Sequence, residues 1–363
     1  MLTSSPGCVK HDVDNRQLIL HSEDSPDKAS ERVDLEVEVA ALPEINCLVS
    51  AIATPLTPTF RPDVPALVAR AHWLIEQGCD GIALFGTTGE GPEFSVEDRE
   101  AALDGLLAGG IDPGRLIVSV TALALPDIVS LALHASGRGV AGLLLMPPGV
   151  FRTGITDDGT FRFFAAAIEG IARSDLRLYL YHFPEICGVP ITAQVVRRLD
   201  ERYPGMIAGV KDSGGDIDFT EDLIRRFSHM SIFTGSEVHL PQLLSTGARG
   251  TVCGLSNVMP RLIRGLMDLP TAFDRRKALP YLLSGDAILS RRPFIASAKA
   301  VIAETTGEAG WRRVVPPLAE LPLIERQRLV EDFRRWDANL PSGWQNLEPA
   351  AEPRKGLVDR WRG

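Results

Sequence analysis

The sequence predicts an α/β chain, a (β/α)8 TIM barrel followed by a C-terminal helical appendix. Three observations carry that prediction. Over residues 47–270, short β-rich apolar runs alternate with longer helical patterns, and the alternation repeats eight times. A crossover helix returns the chain so that the next strand runs parallel to the last, and eight such units are what a closed ring requires. The competing doubly wound sheet would stop at about five to seven strands, with a glycine-rich dinucleotide fingerprint after the first. Here the first strand is followed by Thr54-Pro-Leu-Thr-Pro58 instead.

Residues 1–46 are polar and acid-rich and read as a flexible N-terminal extension. The first strand is expected over 48–54, and the helix over 63–77 has Asp63 as its cap. Strand 81–85 precedes a helix over 95–107, where Ser95 with Asp98 resembles a capping box. Further strands are expected over 115–121, 142–146, 177–182, 206–211, 231–234 and 250–253. Their helices fall at 126–137, 157–172, 192–201, 216–227, 238–244 and 260–267. The alternation then ends. Helical patterns over 273–289, 295–305 and 324–337 make up the appendix, residues 271–339, and a polar tail closes the chain over 340–363.

A chain of 363 residues with a net charge of -9 and no central basic cluster suits a soluble enzyme and argues against a nucleic-acid partner. Cys8, Cys47, Cys79, Cys187 and Cys253 form no C-x-x-C pair, so they are expected to be buried thiols, not a disulfide framework or a zinc site. No run of eighteen apolar residues and no signal-peptide pattern is found. A cytoplasmic setting without a membrane partner is the resulting expectation.

The chemistry centres on Lys211, which ends the apolar run Met206-Ile-Ala-Gly-Val210. Elsewhere the middle of the chain uses arginine for its positive charge. An arginine keeps its proton, whereas desolvation favours the neutral, nucleophilic form of a lysine, ready to form a Schiff base with a carbonyl. An ion-paired lysine at a strand end explains the stretch equally well when it is read alone.

In a barrel of this type the reactive groups lie at the C-terminal ends of the strands. The fifth strand ends in Tyr179-Leu-Tyr-His182 and the sixth in Lys211. Period-two alternation puts Tyr179 with Tyr181, and Ile207 with Gly209 and Lys211. If those faces are inward, Tyr181 and Lys211 stand side by side, with Gly209 leaving space beneath. The second strand ends in Gly86-Thr-Thr-Gly-Glu-Gly91, whose backbone donors and hydroxyls could hold a carboxylate. Phosphate binding or a plain glycine-rich turn are alternatives, although no Walker lysine follows. His182 and Asp212 alternate to the outer face and read as structural, and Glu90 reads as a brace for its loop. No His/Asp/Glu cluster has metal-ligand spacing.

With these residues in hand, the chain resembles the dihydrodipicolinate synthase / N-acetylneuraminate lyase superfamily of pyruvate-dependent class I aldolases. The resemblance covers about residues 47–325. It rests on Gly86-Thr-Thr-Gly-Glu90, Leu180-Tyr-His-Phe-Pro184, Gly209-Val-Lys-Asp-Ser213, Gly235-Ser-Glu237 and the 250–257 loop, all in the family's order. It implies that Lys211 forms the imine, that Tyr181 shuttles protons with help from Thr87, and that Thr88 and Gly86 belong to the carboxylate loop. Gly235 and Val252 would line the pocket through their backbone. No cofactor is implied beyond the covalent imine, and the assembly would be a homodimer or homotetramer.

Two departures matter. Many members carry a tyrosine pair after the fourth strand, one tyrosine entering a neighbouring subunit's relay, where this chain has Met146-Pro-Pro-Gly-Val-Phe151. The lysine-biosynthetic synthases place an arginine where this chain has Ile186, and an apolar side chain cannot hold a second carboxylate. The resemblance therefore implies a Schiff-base lyase that makes or breaks a C–C bond of pyruvate or a longer 2-oxo acid, and argues against dihydrodipicolinate synthesis itself. A 2-oxo sugar-acid dehydratase using the same imine, or a non-catalytic relative that binds a 2-oxo acid, are the alternatives.

Overall fold

The computed structural model describes residues 47–150 and 154–347. Eight parallel strands close a ring in sequence order: β1 (Cys47–Ala51), β2 (Gly81–Leu84), β3 (Leu116–Ser119), β4 (Gly142–Leu145), β5 (Leu178–His182), β6 (Ile207–Asp212), β7 (Ser231–Thr234) and β8 (Gly250–Cys253). Between and after them run α1 (Val64–Glu76), α2 (Val96–Ala108), α3 (Leu125–Gly137), α4 (Asp157–Ile171), the short α5 (Pro184–Cys187), α6 (Ala193–Arg202), α7 (Ile217–Arg226), α8 (Leu240–Thr246) and α9 (Pro260–Met267). The appendix is α10 (Ala272–Leu289), α11 (Phe294–Thr306) and α12 (Leu323–Ala338). The fold is thus the expected (β/α)8 barrel with C-terminal helices.

Local chemistry starts the helices where the sequence places a short polar side chain. Asp63 accepts from the Ala66 N–H, Ser95 from Asp98, Thr156 from Gly159, Thr192 from Val195 and Thr271 from Asp274. Each such cap contributes about 1 kcal/mol and satisfies an otherwise orphaned donor. The strands bury both faces. Leu48, Ile82, Leu116 and Leu180 pack outward against the helices, while Val49, Ala83, Ile117, Leu144, Tyr179, Phe233 and Val252 fill the ring. The ring interior is a packed core, as layered barrel interiors dictate.

Two expectations change. The pairing of β5 with β6 slips between Leu178 and Tyr179, so Leu178 faces Ile207 and Tyr179 faces Gly209. The extra residue turns Ile207 to the outer core and leaves Ala208 packed on the inner one. Ile207 therefore does not share the face of Lys211. Gly209 does not open space under the lysine either. A Cβ there would stand 1.9 Å from the Ser231 carbonyl oxygen, so glycine is needed for the close approach of β7.

The first residues of the polar tail are also built into the fold. Asn346 is buried and donates from its backbone N–H and its side-chain amide to the Asp337 carboxylate, and Trp344 lies against Gly265 of α9. The expected N-terminal extension, the end of the tail and Phe151 lie outside the described residues.

Candidate active site

Tyr181 of β5 and Lys211 of β6 are direct partners in the sheet register. Both project into the ring at its C-terminal mouth, and the Lys211 amine lies 3.9 Å from the centroid of the Tyr181 ring. Lys211 is 5 % exposed, yet among the described residues no carboxylate lies within ion-pairing distance of it. The ion-paired alternative for this lysine is thereby removed. The Tyr181 hydroxyl lies 3.2 Å from Thr87 Oγ1, a distance at which either can donate. Lys211, Tyr181 and Thr87 thus form one cluster from β6, β5 and the loop after β2.

The loop after β2 is shaped by constraint on both sides. Phe85 and Glu90 hold positive φ of 59° and 55°, a conformation that costs a residue with a Cβ about 1 to 3 kcal/mol. Gly91 must be glycine, since a Cβ would fall 1.9 Å from the Phe85 carbonyl oxygen. Thr54 Oγ1 donates to the Gly89 carbonyl at 2.7 Å from the β1 side. The Glu90 carboxylate accepts from the Lys299 amine at 2.6 Å and from the Val315 N–H at 2.6 Å. Glu90 is the brace the sequence suggested. Its partner Lys299, fully buried on α11, has no role in the sequence reading. Burial lowers the Lys299 amine from its ordinary value, and Glu90 pulls it back.

Thr88 stands at the tip of this loop, and its hydroxyl has no partner among the described residues. A side chain at Gly254 would come within 2.9 Å of it, so the loop after β8 passes directly over Thr88. That loop is fixed by Asn257, which accepts from the Ala53 N–H and donates to the Ala51 and Gly254 carbonyls. Val252, on the inner face of β8, lies in the same cluster as Tyr181. Gly235 follows β7, where a Cβ would meet Ser213 Oγ at 2.0 Å and Lys211 Cε at 3.3 Å. Gly86, Thr88, Gly235 and Val252 therefore come from the strand ends surrounding the lysine and the tyrosine.

The outward-facing residues are structural. His182 Nδ1 accepts from the Ile191 N–H at 2.9 Å, and burial pushes the imidazole below its ordinary value. Asp212 accepts from the Gly214 N–H and from Thr220 Oγ1. Glu237 follows β7 in the stretch Gly235-Ser-Glu237. Burial pushes its carboxyl up to about 7, Asp286 adds to that shift, and the Leu255 N–H opposes it. Among the described residues no group of His, Cys, Asp or Glu is arranged to hold a metal ion, and no helix is long and apolar enough to cross a membrane.

The model of the dihydrodipicolinate synthetase family matches residues 44–332. An uncharacterized DapA-like lyase of Chloroflexus aurantiacus is 34 % identical over 224 residues, 61 % of this chain and 73 % of that protein. A 4-hydroxy-tetrahydrodipicolinate synthase of Kineococcus radiotolerans is 31 % identical over 293 residues, 79 % of this chain and 91 % of that one. Among solved structures, dihydrodipicolinate synthase from Agrobacterium tumefaciens superimposes with a TM-score of 0.74 at 30 % identity, covering 80 % of this chain and 99 % of that one. A triply substituted variant of Sulfolobus solfataricus 2-keto-3-deoxygluconate aldolase, in complex with L-2-keto, 3-deoxy-galactonate, gives 0.72 at 25 % identity, covering 81 % and 97 %.

Proposed function

The chain belongs to the dihydrodipicolinate synthetase family of lyases, and we propose that it acts through an imine between Lys211 and a 2-oxo acid, pyruvate being the simplest. The observation that carries this reading is the buried, carboxylate-free amine of Lys211 beside Tyr181, whose hydroxyl is linked to Thr87. The amine attacks the ketone carbon, and the resulting carbinolamine loses water as Tyr181 delivers a proton to the departing oxygen. The protonated imine then draws electrons from C3. Loss of a C3 proton gives an enamine, which adds to an aldehyde carbon, and the new alkoxide takes up a proton. Run backwards, the same steps cleave the C–C bond. Hydrolysis of the imine releases product and restores the amine. Thr88, with the backbone of Gly86, receives the carboxylate, and Gly235 and Val252 bound the pocket. The lysine is itself the source of the electron sink, so the reading calls on no separate cofactor.

Ile186, 44 % exposed on α5, offers a second carboxylate no bidentate contact, which weighs against dihydrodipicolinate synthesis. A 2-oxo sugar acid is the second reading, favoured by the aldolase neighbour that holds one. The assembly is read as a homodimer or homotetramer. Leu123, 71 % exposed, Leu125, Val150 and Ile155 leave apolar surface on the loops after β3 and β4, which a second copy would cover.

The test is treatment with borohydride in the presence and absence of pyruvate, followed by turnover with a panel of aldehydes. Pyruvate-dependent, irreversible inactivation is expected, together with aldol product from at least one aldehyde. Protein unaffected by borohydride plus any of a panel of 2-oxo acids would overturn the reading. Light scattering on the eluting protein checks the assembly, a monomer being the contrary result.

A further inference from the structure

We propose that Lys299, in the helical appendix, is a positioning residue for the carboxylate loop: its bond to Glu90 holds Thr87 and Thr88 in the shape that receives a 2-oxo acid. The proposal rests on the imine reading for what the loop binds. Its structural basis is the pair of strained residues that bracket the two threonines.

At the first, Phe85, packing does the holding. The side chain is fully buried and its ring meets Phe94 edge-on at 5.9 Å. At the second, Glu90, polar bonds do it. One carboxylate oxygen takes the Lys299 amine and the other the Val315 N–H, each at 2.6 Å. Both donors belong to the segment beyond the barrel, on α11 and on the stretch leading to α12. The Glu90 N–H also donates to the Thr87 carbonyl at 3.1 Å, and the Gly89 N–H to the Gly86 carbonyl at 3.0 Å. A rotation at Glu90 is therefore carried by one turn bond to Thr87, whose hydroxyl contacts Tyr181.

Released from Lys299, Glu90 has a reason to leave its left-handed conformation, and the turn that aims the threonines goes with it. Lys299 is 0 % exposed and acts through Glu90. The appendix is on this view part of the binding machinery.

The experiment measures the pyruvate concentration that gives half-maximal borohydride trapping. Lys299→Met alone strands a buried carboxylate and can simply unfold the chain. The informative variant is Glu90→Gln/Lys299→Met, a neutral pair that keeps an acceptor for the Val315 N–H. It is expected to melt cooperatively and to be trapped at saturating pyruvate, since Lys211 is intact. Half-saturation should require roughly tenfold more pyruvate, because misaimed contacts weaken binding without removing the nucleophile.

Leu329→Ala in the buried face of α12 lowers the melting temperature without touching Glu90, and should leave half-saturation unchanged. A folded double variant with wild-type half-saturation overturns the proposal, as does an equal shift in Leu329→Ala. If the double variant does not fold, Glu90→Gln alone carries the same expectation and the same refutation. Wild-type protein that traps no pyruvate would sink the imine reading and this proposal together. Trapping by wild type with no shift in the variant sinks this proposal alone.

Discussion

Among the described residues two lysines are buried, one in the barrel and one in the appendix, and they have opposite surroundings. Lys299 is fully enclosed and bonded to Glu90 at 2.6 Å, whereas Lys211 is enclosed beside an aromatic ring with no carboxylate in reach among the described residues. Burial penalises the charge at Lys299. At Lys299 a carboxylate offsets the penalty, and the amine becomes a structural tie. At Lys211 no carboxylate is in reach among the described residues, and the amine is left for a substrate to engage. A buried lysine is thus informative only together with what faces it.

Matched substitutions separate the two roles. Lys211→Met should abolish pyruvate trapping and lower turnover by roughly 10⁴-fold or more, since no other nucleophile stands there. Its melting temperature should stay near wild type, because no buried partner is stranded. Lys299→Met should do the reverse to stability, losing about 3 to 5 kcal/mol as Glu90 is left buried and unpaired. Denaturant titration of both variants checks the pair, and equal losses would erase the contrast.

Tyr181→Phe isolates proton transfer from nucleophilicity. The ring against Lys211 is kept and only the hydroxyl facing Thr87 is lost. Turnover should fall roughly 10²- to 10³-fold while pyruvate can still be trapped, more slowly. Wild-type turnover in this variant would assign the proton steps to another group.

Glu237 is the carboxyl form of the same contrast, half-buried with no cation within ion-pairing distance among the described residues. Its carboxyl titrates near 7 in the folded chain, against an ordinary value of 4.5. A raised carboxyl binds its proton more tightly folded than unfolded. Stability is therefore favoured below about pH 4.5 and falls as pH rises to about 7, levelling off above. Glu237→Gln should remove that fall. The wild-type-minus-variant difference should change by about 2 kcal/mol across the window, after discounting for partial exposure of the residue. Parallel pH–stability curves for the two proteins would contradict this assignment.

The features legible in the sequence were the local ones. Strand and helix periods, the caps at Asp63 and Ser95, and the alternation that puts Tyr181 inward and His182 outward all depend on neighbours within a few residues. Alternation failed at Ile207, because the bulge between β5 and β6 inserts one residue and no local pattern announces it. The short α5 was also missed, four residues being too few for a period to show.

The tie between Glu90 and Lys299 spans 209 residues, and sequence spacing cannot express it. One signal was available all the same. Lys299 is a lone charge within Phe294-Ile-Ala-Ser-Ala-Lys-Ala-Val-Ile302, and a cation inside an apolar helix needs an anion somewhere in the fold.

The central claim is that the enclosed amine without a carboxylate is the one that reacts. Peptide mapping by mass spectrometry after borohydride reduction with pyruvate tests it most directly. A single covalent adduct is expected, on the peptide containing Lys211, with Lys299 unmodified in the same sample. An adduct at Lys299, or a saturable adduct elsewhere while Lys211 stays free of label, would contradict it.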